Sequence, residues 1–65
     1  MFEFSIRAAE KDPTGYYQTK WDLAQRIKVK AETKAKAIIK AGVVLGDPDN
    51  RRYVWTMTID DIREL

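Results

Sequence analysis

Residues 16–31 hold a single alternation, and that pattern constrains the fold more than any other feature of the chain. Tyr17, Thr19, Trp21, Leu23, Ile27, Val29 and Ala31 share one parity, while Gln18, Lys20, Asp22, Arg26, Lys28 and Lys30 share the other. A period of two is the pattern of a strand with one face buried and one face wet. As one strand this stretch would run about 53 Å, well beyond the usual length of roughly 3–10 residues. Two readings stand: one long, bent strand, or two strands reversing near residues 22–25. The length favours two. Either way the chain builds a sheet.

The flanking segments agree. Phe2, Phe4, Ile6 and Ala8 alternate with Glu3, Ser5 and Arg7, which predicts a first strand over residues 2–9. Asp12, Pro13 and Gly15 then take the first, second and fourth places of a type I turn, so a hairpin is expected there. Near the other end, Tyr53, Trp55, Met57 and Ile59 oppose Val54, Thr56 and Thr58 over residues 52–59, the clearest strand of all. Residues 60–65 read either as one helical turn, because Ile62 and Leu65 lie three apart, or as a frayed tail.

Between the sheet segments lies one helix. Thr33 is its expected N-cap, although Lys36 stands where a capping box places an acid. Ala35, Ile38, Ile39, Gly42 and Leu45 make an apolar stripe over residues 34–45, with Lys36 and Lys40 on the opposite face. Gly46 is expected to end the helix in a left-handed conformation, and Pro48 blocks its continuation. Gly42 is expected to bring the helix close to the sheet, at a cost of about 1 kcal/mol against Ala. The predicted fold is therefore α+β: a small antiparallel sheet of three or four strands with one helix packed on one face, in the order ββ(β)αβ. Residues 1–65 form a single domain, and the expected core is Phe2, Phe4, Ile6, Trp21, Leu23, Ile27, Val29, Ile38, Ile39, Leu45, Trp55 and Met57.

A chain of 65 residues buries only about 60% of its unfolded surface. It has no cysteine to staple it and no histidine, so a structural zinc site is not expected. Stability has to come from packing, which self-association as a homodimer would help. No apolar run is long enough to span a membrane, and residues 1–10 lack the pattern of a secretory signal. With no cysteine as well, a soluble, cytoplasmic protein is expected.

Catalysis is poorly provided for, and neither enzymatic activity nor a cofactor is expected. General acid–base work most often uses His, and the only Ser, Ser5, has no His to activate it. Asp60 and Asp61 are adjacent, which in a strand aims them to opposite faces. Asp47, Asp49 and Asn50 resemble the start of a calcium loop, but Thr58 stands where its twelfth, acidic position belongs, so a turn is the better reading.

Charge offers more. Residues 20–40 carry seven basic side chains against two acidic, while the rest of the chain carries five against eight. Arg26, Lys28 and Lys30 share the strand face away from the helix, and Lys20 is expected to join them. Such a face can contact phosphates, or it can simply be solvated. Lys34 and Lys36 stand at the helix N-terminus, where the macrodipole disfavours cations, so a nearby anion is expected there. Glu32 is the neighbour able to supply it. Arg51 and Arg52 could extend the basic patch. Tyr16, on the polar parity beside Gly15, is the aromatic expected to be exposed and available to a partner.

The segment from Gly15 to Ala37 resembles the N-terminal part of HicB-like antitoxins. The shared elements are Gly15-Tyr16-Tyr17 opening a strand, Asp22-Leu23 at a bend, Glu32-Thr33 closing the next strand, and Ala37 in the helix. Ala24-Gln25 stands where that family has Pro-Gly, and Lys34 and Lys36 replace acidic residues. The resemblance implies a partial RNase H-like fold and an antitoxin-like role. In size and style the chain is also similar to small uncharacterised proteins of actinobacteriophages, which implies a non-enzymatic phage accessory protein. The function expected is a small non-catalytic binding protein acting on an unidentified protein partner through a sheet edge and the basic face. The alternative is a nucleic-acid-binding module using that face.

Overall fold

The computed structural model describes residues 1–65. Its centre is β1 (Phe2–Lys11), and the alternation that predicts this strand also sets its burial: Phe4, Ile6 and Ala8 face inward. β1 pairs antiparallel with β2 (Gln25–Ala31) on one side and with β3 (Val54–Glu64) on the other, giving a sheet ordered β2-β1-β3. α1 (Lys34–Leu45) packs on one face. The α+β architecture is as expected, with three strands rather than four.

The alternation over residues 16–31 does not produce two strands, nor one long one. Only its second half is β2. The first half is a loop that ends in a short 3₁₀ turn at Trp21–Leu23. The expected turn does form, with the Gly15 amide donating to the Asp12 carbonyl at 3.0 Å. Chain reversal is then delayed, because the Asp12 carboxylate accepts from the amides of Thr14 at 2.9 Å and Tyr17 at 3.0 Å. Those bonds hold residues 12–17 in a compact loop, away from a ladder with β1. Leu23 and Trp21, expected in the core, are consequently 71% and 40% exposed.

β3 runs five residues past its expected end, so residues 60–65 are mostly strand and not a helical turn. A bulge explains the misleading spacing. Ile59 lies opposite Ile6 and Asp61 lies opposite Ser5, which leaves Asp60 as the extra residue. One added residue lets Ile59 and Ile62, three apart, face the same side of the sheet.

The helix boundaries are as expected. The Thr33 hydroxyl accepts from the Lys36 amide at 3.2 Å, and Gly46 closes the helix with φ 70°, a conformation that favours glycine. The buried stripe is rotated from the expected one. Ala37 and Ala41 meet the sheet, with Ile38 and Leu45 half-buried, whereas Ala35 and Ile39 turn outward, Ile39 being 67% exposed. Small side chains allow the close approach that was expected of Gly42. A Cβ on Gly42 would meet nothing within 4 Å.

The core is therefore slight: Phe4, Ile6, Val29, Ala31, Ala37 and Ala41, flanked by Phe2, Ile27, Ile38, Met57 and Ile59. Phe4 and Ile6 contribute most, at about 1.5–3 kcal/mol each. At the far end Trp55 is half-buried, and its indole N–H donates to the Gly46 carbonyl at 2.7 Å. α1 lies over β2 and the adjoining side of β1 and scarcely touches β3.

Candidate functional site: the open sheet face and the third-strand edge

Strand register decides which side chains share the face away from α1. Lys30, Lys28 and Arg26 of β2 lie opposite Glu3, Ser5 and Arg7 of β1, and these lie opposite Arg63, Asp61 and Thr58 of β3. Arg26, Lys28 and Lys30 are all exposed, and the structure brings them together as expected. Arg7, central to the same face, extends the positive charge.

Arg7 is also where that charge is checked. Its Nε lies 2.8 Å from Asp60 Oδ2, an ion pair without hydrogen-bond alignment. Its guanidinium sits 5.8 Å from the Trp21 ring centroid. Ser5, Arg26, Lys28 and Asp60 line an open depression of about 500 Å³ there. The face is thus divided: basic along β2, acidic at Asp60 and Asp61 of β3, with Glu3 between. Sequence reasoning passed over this acidic half because the bulge that places both aspartates is invisible in the alternation.

The remaining sequence-predicted residues fall elsewhere. Lys20 does not join Arg26, Lys28 and Lys30. Its Nζ stands 4.8 Å from the Tyr53 ring centroid, because its own amide bonds to the Glu10 carbonyl at 3.1 Å and carries it to the end of the sheet. Tyr16 is exposed as expected, at 82%, with its ring edge-on to Tyr17 at 4.8 Å. Tyr16 and Arg52 line one hollow with Asp12, Tyr17 and Tyr53, while Arg51 borders a separate one. The Arg52 amide donates to Asn50 Oδ1 at 3.1 Å, a local turn contact. Lys34 and Lys36 are exposed at the start of α1, and Lys36 Nζ pairs with Glu32 at 3.6 Å. Glu32 is therefore the anion expected near Lys36.

The Asp12 carboxyl is held below the ordinary aspartate value. The Tyr17 amide is the main cause and the Thr14 amide the next, with the Thr14 hydroxyl adding to them against the opposing effect of burial. Every bond it makes is within its own loop, so its role is to shape that loop.

The chain matches no family model, no curated protein and no solved structure. Its surfaces have to be read from their own geometry. No group of three or more His, Cys, Asp or Glu side chains is placed to hold a metal ion, and no helix is long and apolar enough to cross a membrane.

Two further surfaces are apolar. Ile39, Val43 and Val44 lie exposed on the outer side of α1. On the β3 side of the helix-bearing face, Met57 and Ile59 are half-buried and Ile62 is 41% exposed. Ile62 lines a hollow with Phe2, Phe4, Glu32, the cap residue Thr33 and Lys34. The two sheet edges also differ. Lys40 Nζ donates to the Lys30 carbonyl at 2.6 Å, which occupies an outward acceptor of β2. β3 has no such guard.

Proposed function

We propose that this is a small, non-catalytic, cytoplasmic binding protein that acts through protein–protein contact and pairs with a second copy of itself. The placement of α1 carries the reading. The helix covers β2 and part of β1 and leaves Met57, Ile59 and Ile62 only partly covered beside an edge strand. An edge offers a row of backbone donors and acceptors, and strand addition satisfies them while burying the adjoining apolar side chains. A core of six buried residues gains from that burial. The antitoxin-like or phage accessory role that the resemblances imply is one form such a protein takes.

The nucleic-acid reading draws on Arg7 beside Arg26, Lys28 and Lys30. Against it, Glu3, Asp60 and Asp61 share the face and would repel a phosphate backbone. The test is capture of the tagged protein's partners from lysate with and without nuclease. A protein partner that persists after nuclease, and whose affinity is insensitive to salt, is the expected result. Recovered nucleic acid would overturn the reading if its affinity fell steeply with salt and vanished when Arg26, Lys28 and Lys30 were changed to Gln.

A further inference from the structure

Resting on the self-pairing just proposed, we infer that β3 joins β3 of a second copy, antiparallel across a two-fold axis at Ile62. Backbone direction supports this register. The Leu65 amide donates to the Met1 carbonyl at 3.0 Å. In an antiparallel ladder, inward and outward groups alternate. Arg63 and Asp61 therefore turn their N–H and C=O groups toward Glu3 and Ser5 of β1, and Ile62 turns its own outward. Two copies can then exchange both Ile62 hydrogen bonds at the axis.

Side-chain chemistry selects the same axis. On the helix-bearing face Ile62 meets Ile62. On the open face Arg63 of each copy stands opposite Asp61 of the other, so the two-fold makes two opposite-charge pairs at once. Glu64 comes opposite Asp60, but Glu64 follows Ile62 onto the helix-bearing face while Asp60 lies 2.8 Å from Arg7 on the open face, so these two carboxylates do not face each other. The β2 edge has the reverse character. A two-fold at Lys28 would set Lys30 against Arg26 twice, and Lys40 already occupies the Lys30 carbonyl. Like charges directly opposite one another destabilise a strand pair. The occupant that fits the β3 edge is thus a second copy of this chain, and the edge that fits it is not β2.

The experiment is a charge exchange read by sedimentation equilibrium. Wild-type protein is expected to dimerise. Asp61→Arg alone and Arg63→Asp alone each turn both pairs repulsive and should weaken self-association about thirtyfold. An equimolar mixture of the two variants restores two opposite-charge pairs and should dimerise like wild type. Independently, because the chain has no cysteine, Ile62→Cys should form an interchain disulfide on air oxidation. The Cα atoms at a hydrogen-bonded pair stand about 5.5 Å apart, within disulfide reach. Variants that dimerise as well as wild type, a mixture that stays monomeric, or cross-linking through Met57→Cys in place of Ile62→Cys would each overturn the register. A wild-type monomer that still captures a protein partner would sink this inference and leave the binding role standing. A dimer that captures only nucleic acid would do the opposite.

Discussion

Replacing Gly42 with Ala should stabilise the protein, and the size of the effect follows from where the residue sits. Gly42 lies inside α1, its φ is not positive, and an added Cβ would meet nothing within 4 Å. A methyl group there costs no packing strain. It removes freedom from the unfolded chain that glycine alone has, which is worth about 1 kcal/mol in a helix interior. Small domains gain roughly 2.1 cal/mol/K of entropy per residue on unfolding, or about 0.14 kcal/mol/K for a chain of this length. Gly42→Ala should therefore raise Tm by about 7 °C. Against a total stability of roughly 3–10 kcal/mol for a domain this size, that is a large increment. Far-UV circular dichroism during thermal and urea unfolding reads it directly. The urea midpoint should rise with no change in slope, since the surface exposed on unfolding hardly changes. Measuring at two protein concentrations separates the effect from any change in pairing. An unchanged or lowered Tm would refute the reasoning, because it would mean that something packs against Gly42.

Two further changes probe the helix start and the loop that replaces the expected hairpin. Thr33→Ala removes the hydroxyl that accepts from the Lys36 amide and should cost about 1 kcal/mol in urea unfolding; a loss near zero would show that the cap is idle. Asp12 has a depressed folded pKa, so its stabilising effect is complete above the ordinary aspartate value and disappears as pH falls through the lower folded value. Wild-type urea midpoints should fall across that acid window, the fall should be shallower in Asp12→Ala, and parallel curves would exclude Asp12 as a source of the acid sensitivity.

Legibility in the sequence divides along physical lines. α1 and both its caps were readable because Thr33, Gly46 and Pro48 act locally, through bonds and dihedral angles within a few residues. β1 was readable because Phe2, Phe4, Ile6 and Ala8 alternate with polar residues as a half-buried strand does, although Ala9 is buried on the other face as well. Residues 16–24 kept that alternation without becoming a strand, since the Asp12 carboxylate competes for the amides that a hairpin would use. Residues 60–65 hid a strand because a bulge converts a spacing of two into three, and three resembles a helix. Of the candidate site, Arg26, Lys28 and Lys30 were legible from parity alone. Their relation to Asp60 and Asp61 was not, because it depends on β1 lying between β2 and β3. Lys20 was misplaced for the same reason as Trp21: both sit beyond the point where alternation stops reporting a strand.

The contact between Lys40 and the Lys30 carbonyl bears on stoichiometry. A sheet free to add strands at both edges has no natural stopping point, and its copies can string together into a filament. The bond from α1 to the rim of β2 tilts that balance. A strand added at β2 would have to displace Lys40 from the Lys30 carbonyl, a cost that the β3 edge does not impose, so growth is biased to one side of the sheet.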